Sequence, residues 1–360
     1  MTQRMETFCE SMKKENMDAA FVSSKENFFY LTGFLTDPHE RLLGLLVFPD
    51  EKVVAVLPAM EKGQLKETGF KGDIIAYQDH ENPWEALADY NESVHTLGIE
   101  EEHLSYGRAG QLIEAFATPE IRDVTGLLDR QRLLKDEKEI SIMRKAASLA
   151  DEGVEAGIAA LEEGVSEMEV LARIEFEMKK RGVREMSFST MVLFGEKAGH
   201  PHGNPGDRTL KRGDLVLFDL GVVWEGYTSD ITRTVAFGEV DEKQREIYET
   251  VKRAEQASLD ISKPGTRIGD LDQVARNVIE EAGYGDYFPH RIGHGLGINV
   301  HEFPSMSHLN EDVLKPGMTY TIEPGIYDPE TGGVRIEDDV LVTEGGYEIL
   351  TKTPKDLRII

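Results

Sequence analysis

A chain of 360 residues exceeds what one hydrophobic core usually serves, so two domains are expected, with room for a third. Its 40 Lys and Arg against 67 Asp and Glu give a formal charge of −27. That sign is opposite to what nucleic-acid phosphates or an anionic membrane surface attract, which argues against both as partners. With 40% hydrophobic and 30% charged residues, the composition is that of a folded globular protein and excludes a disordered one.

The chain opens with Arg4, Glu6, Glu10, Lys13, Lys14 and Glu15 scattered among apolar residues. It has no apolar signal-peptide core there, so a cytoplasmic location is expected. The single cysteine, Cys9, allows no intrachain disulfide, which suits a reducing compartment. The longest apolar run, Leu42–Phe48, is far short of the roughly 20 residues that span a bilayer. From Asp18 to about Val124, β-rich runs at Ala19–Val22, Leu42–Phe48, Lys52–Leu57 and Asp73–Tyr77 alternate with helical stretches at Pro83–Thr96 and Gly110–Ala117. This predicts an α/β domain over residues 1–128. A long amphipathic helix follows from Glu137 to about Leu161, with Ile140, Met143, Ala147, Ala150 and Val154 on one face, and opens a second domain over 129–360.

The second domain repeats itself. Gly164 and Gly182 bracket a helix that starts with a Ser166/Glu169 capping box, and Gly265 and Gly283 bracket another of equal length. Each helix leads towards a β-hairpin. The hairpins open with Leu210-Lys211-Arg212-Gly213 and Leu314-Lys315-Pro316-Gly317, and the same offset carries Asp219 onto Glu323. Asp230 and Glu337 also correspond if the second loop is slightly longer. His202 and His301 lie upstream of the respective hairpins at matching places.

In the first hairpin, a turn centred on Glu225-Gly226 makes Asp219 face Thr232 and lie diagonal to Asp230. Two carboxylates so placed reach a shared cation. Alone, Asp230 reads as an ordinary solvated edge residue; paired on one face, and repeated at Glu323 and Glu337, the acids need positive charge. Two divalent ions balance them. His294, flanked by Gly293 and Gly295, projects an imidazole from a tightly packed backbone. The glycine-rich run lacks both the dinucleotide spacing and a Gly-Lys-Ser/Thr ending, so a phosphate loop is set aside.

Several motifs together resemble one family. They are Phe218-Asp219-Leu220-Gly221, Ser229-Asp230-Ile231-Thr232-Arg233-Thr234, Gly293-His294-Gly295 with His301-Glu302, Ile322-Glu323-Pro324-Gly325 and Val334-Arg335-Ile336-Glu337-Asp338. The family is that of the pita-bread-fold metallopeptidases, which includes methionine aminopeptidase, aminopeptidase P and Xaa-Pro dipeptidase (prolidase). Asn27 to Phe34 resembles part of the creatinase-type amino-terminal domain of the proline-specific branch. The resemblance implies metal ligands at Asp219, Asp230, His294, Glu323 and Glu337, substrate-facing histidines at His202 and His301, and Glu323 as proton shuttle. Arg335 shares a strand face with Glu337 and is expected to hold the acids in place. The implied activity is hydrolysis of the bond between an amino-terminal residue and proline. Two divalent ions would serve it, manganese first, with cobalt, zinc or iron as alternatives. A homodimer is expected. The competing readings are a non-catalytic peptide- or partner-binding protein on the same fold, and an aminopeptidase without proline preference.

Overall fold

The computed structural model describes residues 2–91, 94–117 and 119–360. The chain divides between Arg132 and Leu133 into two compact units. Sequence placed the change after Leu128, but Leu128 is buried inside the helix Thr125–Arg132, which packs as a continuous element of the first unit.

The first unit is built on a 6-stranded sheet. Its central strand Ala19–Val22 pairs antiparallel with Gly44–Val47 and parallel with Thr96–Ile99, and every residue of it is buried. The strands Val53–Pro58 and Asp73–Tyr77 continue the sheet on one side and Glu120–Asp123 on the other. The helix expected over Pro83–Thr96 ends at Ala88, because Thr96 is claimed by a strand beside Ala19; positions 92 and 93 of that stretch lie outside the described residues. Gly110–Ala117 falls largely within the helix Tyr106–Ala115.

The second unit holds the repeat. The long helix Glu137–Ala159 starts at an Asp136/Glu139 capping box, which satisfies two end N–H groups reciprocally. The bracketed helices are Glu167–Lys180 and Ile268–Glu281, both of 14 residues. Gly164, Gly182, Gly265 and Gly283 all take φ near +90°, a conformation that only glycine adopts without strain. Corresponding backbone bonds tie each helix start to the hairpin that follows: Gly164 N to Leu210 O and Gly265 N to Leu314 O, both 2.9 Å.

The first hairpin has the predicted register. Glu225 and Gly226 both have positive φ, as a tight two-residue turn requires. Trp224 pairs with Tyr227, and Thr232 pairs with Asp219 in the long ladder of Asp214–Leu220 with Ile231–Phe237. The second hairpin is interrupted. Thr319–Ile322 pairs with Asp338–Thr343, and Gly325–Asp328 pairs with Gly332–Arg335. Glu323 and Pro324 sit in the gap on one side, and Ile336 and Glu337 on the other. Pro324 has no N–H to give the ladder, which accounts for the break. The register is the same on both sides of it, so Glu323 faces Glu337. Freed from its own hairpin, Glu337 forms a bridge with Thr232 of the first half, its N–H donating to Thr232 O at 3.1 Å. Two buried clusters fill the unit, one around Phe218, Ile174 and Val154 and the other around Tyr320, Val251 and Ile336, the second also taking in Leu215 and Ala236 of the first hairpin. Among the described residues no helix is long and apolar enough to cross a membrane.

Candidate metal centre

The repeat brings the predicted residues to one cavity. A pocket of ≈ 400 Å³ within the second unit is lined by Asp219, Asp230, His294, Glu323, Glu337, Arg335, His202 and His301. Phe188, Met191, Val300 and Tyr327 supply its less polar wall.

The glycines beside His294 let the chain pass where no side chain fits. A Cβ on Gly293 would lie 2.0 Å from Thr321 O, and one on Gly295 would lie 2.4 Å from Phe303 O. The imidazole is thereby held 3.7 Å from Asp230 Oδ2 and 3.5 Å from Glu323 Oε1, measured from Nε2. Ligand atoms of Asp230, His294 and Glu337 all lie within 4.8 Å of one another, a spacing at which one cation can be held. The His301 ring stacks edge-on to His294, with centroids 4.0 Å apart.

A polar scaffold holds the acids. Arg335 donates from Nη2 to Asp219 Oδ2, from Nε to Thr232 Oγ1 at 3.0 Å and from Nη1 to Tyr327 Oη at 2.8 Å. The Thr232 hydroxyl in turn donates a hydrogen bond to Glu337 Oε2 at 2.6 Å. Asp230 is fixed through its backbone, whose N–H donates to the Asp339 carboxylate at 3.1 Å. His290 sits behind Tyr327, with Nε2 2.8 Å from its hydroxyl and Nδ1 2.8 Å from Arg291 O. Since Nδ1 faces a carbonyl it carries the proton, and Nε2 accepts from Tyr327.

Burial and mutual repulsion then act on these groups. Burial, with Glu337 and Asp219 nearby, pushes the Asp230 carboxyl well above the usual range, and burial with Glu323 and Asp219 does the same to Glu337. Glu323 is pushed up to about 8, mainly by burial. Burial pushes His294 down to about 3, with the neighbouring His301 adding to the effect, and also lowers His301. Asp219 Oδ1 and Asp230 Oδ1 are buried without a hydrogen-bond partner. Orphaned carboxylate oxygens in a cavity shared with a neutral imidazole are what a divalent cation relieves, and oxygen donors with one nitrogen suit such an ion. The donor set therefore fits a metal.

Sequence reasoning did not assign Tyr327 or His290 to the site. Tyr327 was accessible to it, since it lies on the same strand face as Glu323 by two-residue periodicity. His290 enters only through Tyr327, a contact no local pattern encodes.

A profile described as Metallopeptidase family M24 matches residues 141–344. The chain belongs to that family. It is accordingly a peptidase whose family chemistry uses a divalent metal. A second profile, the Creatinase/Prolidase N-terminal domain, matches residues 4–134, which agrees with the expected two-part α/β architecture. The chain is 58% identical over 353 residues to a Bacillus subtilis (strain 168) protein named "Putative dipeptidase YkvY", with 97% of each chain covered. Among solved structures it is similar to the prolidase from Pyrococcus horikoshii OT3, with a TM-score of 0.93 and 38% identity over 99% of this chain and 100% of that one. The Xaa-Pro dipeptidase from Bacillus anthracis also has a TM-score of 0.93, at 33% identity and 99% coverage of both chains.

Proposed function

We propose that this M24 peptidase is a dinuclear Xaa-Pro peptidase, acting as a dipeptidase or an aminopeptidase on peptides with a free amino terminus and proline in second position. The observation that carries the reading is the convergence of Asp219, Asp230, Glu323 and Glu337 with His294 on one cavity, in a chain similar over nearly its full length to prolidases. Asp219, Asp230, His294, Glu323 and Glu337 would hold two divalent ions, with manganese suited to the carboxylate-rich donors and cobalt, zinc or iron admitted by the imidazole. Bound there, the ions would acidify water and polarise the scissile carbonyl.

The chain's own groups carry the remaining work. Glu323 takes the proton of the attacking water and delivers it to the imino nitrogen of the leaving proline. His301, whose pKa is lowered by its partial burial in the cavity, donates an N–H to the carbonyl oxygen as negative charge grows on it. His202, on the cavity wall, donates to the substrate. Arg335 keeps Asp219 and the Thr232 hydroxyl in place and thereby orients Glu337. A homodimer belongs to the same reading and is checked by light scattering, where a monomer at full activity refutes it.

Hydrolysis of Ala-Pro, Ala-Pro-Ala and Ala-Ala by the metal-loaded enzyme tests the specificity. Faster cleavage of Ala-Pro than of Ala-Ala is expected, and the reverse order overturns the proline preference. Stoichiometric metal binding without cleavage of any of the three would favour a non-catalytic binding protein.

A further inference from the structure

The loop that ends in His301 is short and closes on itself. Gly295 pairs with Glu302, and between them Leu296 N–H donates to Thr319 O at 3.1 Å. Gly297 O accepts from both the backbone N–H and the hydroxyl of Thr228, at 2.7 and 2.8 Å, which anchors the loop to the first-half hairpin. The Glu302 carboxylate folds back over this loop. Asn299 N–H donates to Glu302 Oε2 at 3.4 Å, and a Cβ on Gly297 would meet Glu302 Oε1 at 2.2 Å, so glycine is required for the carboxylate to lie there.

This carboxylate is paired with Lys135. The ammonium donates to Glu302 Oε1 at 2.7 Å, and the two side chains are only 2% and 7% exposed. Lys135 is itself rigidly held. Its N–H donates to Gly317 O at 2.9 Å, and it directly precedes the Asp136/Glu139 capping box of the long helix. The same first turn reaches the first-half hairpin, where Tyr227 Oη donates to Glu139 Oε1 at 2.8 Å. A buried ion pair contributes little to net stability compared with an apolar pair of the same shape, so its value lies in geometry. The residue next to Glu302 is His301.

We propose that Lys135 is a positioning residue for His301, acting through the Glu302 carboxylate. This rests on the reading of His301 as a donor to the substrate. Removing the ammonium takes away the charged partner of Glu302 Oε1, so the carboxylate shifts over the loop and His301 loses its alignment with the scissile carbonyl while the metal ligands keep theirs.

The test is a double-mutant cycle on the full-length, metal-loaded enzyme with Ala-Pro as substrate, reading kcat, KM, bound metal and Tm for Lys135→Met, His301→Ala and the double variant. Lys135→Met should lower kcat on the order of 100-fold, as misplacement by about an ångström does, with bound metal undiminished. In the His301→Ala background the same substitution should cost less than about threefold, because the residue it acts through is gone. Equal losses in the two backgrounds, or a loss that tracks falling metal content, overturn the inference. If Lys135→Met does not fold, Glu302→Gln takes its place in the cycle, since it breaks the ion pair and keeps the side-chain shape. A His301→Ala variant with unaltered kcat refutes the reading of His301 itself, and the single variant alone reveals that failure.

Discussion

Replacing Glu323 with Gln should make the metal-free protein more stable at pH 8, although it removes a residue proposed to be essential. In the metal-free fold burial pushes Glu323 up to about 8, from an ordinary carboxyl value near 4.5. A carboxyl raised in this way contributes its full stability only below about 4.5 and loses it as pH rises towards 8. The lowered values of His294, His290 and His301 act in the other direction, costing stability as pH falls below about 6.5, where the unfolded imidazoles charge. As pH rises above 6.5 those imidazoles lose their remaining charge in the unfolded chain too, which leaves the acids to dominate towards pH 8. From 6.5 to 8 is 1.5 pH units, and at about 1.4 kcal/mol per unit Glu323 costs about 2 kcal/mol over that window. Asp230 and Glu337 add to the loss in both proteins. Glu255, in a separate buried cluster and pushed up to about 8, does likewise, and subtracting variant from wild type removes its contribution; the part of the Asp230 and Glu337 shifts that Glu323 itself causes stays in the difference, with the same sign. For a unit of this size about 2 kcal/mol corresponds to roughly 4–8 °C. Thermal unfolding in chelator at pH 6.5 and 8 reads this directly: the Tm of wild type relative to Glu323→Gln should fall by that amount between the two. A difference that is flat, or that moves in favour of wild type, would show that Glu323 ionises freely and that the acids do not crowd one another.

Further substitutions probe other parts of the same construction. Asp230→Ala and Glu337→Ala should each abolish peptide hydrolysis and reduce bound metal measured by atomic emission, and undiminished metal in both removes these residues from the ligand set. Gly293→Ala forces a methyl against the Thr321 carbonyl, so metal binding should weaken along with a stability loss of about 1–3 kcal/mol in denaturant titration. Arg233 is buried, donating to Asp338 Oδ1 at 2.6 Å and to the carbonyls of Glu337 and Thr353. Arg233→Met should cost about 3–5 kcal/mol, because Asp338 and those carbonyls keep their burial and lose their partner. A change under about 1 kcal/mol would mean that Lys355, 2.8 Å from Asp338 Oδ2, is sufficient by itself.

Much of the second unit was readable because its signals are local. A Glu225-Gly226 turn sets its own strands in register, which places Asp219 opposite Thr232 from the sequence alone. Glycines that must take positive φ mark the ends of both repeated helices, and a capping box marks the start of one. The motifs around the acids and His294 pointed to the family for the same reason, as each is a short run whose spacing is its meaning. What remained out of reach depends on contacts between distant segments. Sequence could count the acids of the second hairpin but not foresee that Pro324 would split it, turning Glu337 towards Thr232 of the other half. The helix expected over Pro83–Thr96 had sound local propensity and lost its end to a strand position beside Ala19, where sheet burial outweighs helix preference. The pairing of Arg335 with Asp219, of Asp339 with the Asp230 N–H and of Lys135 with Glu302 joins residues more than a hundred positions apart. Residue type and periodicity determined which groups the chain would offer for chemistry; which carboxylate meets which cation was decided by packing, because the energy of a buried charge depends on all its neighbours and not on its place in the chain.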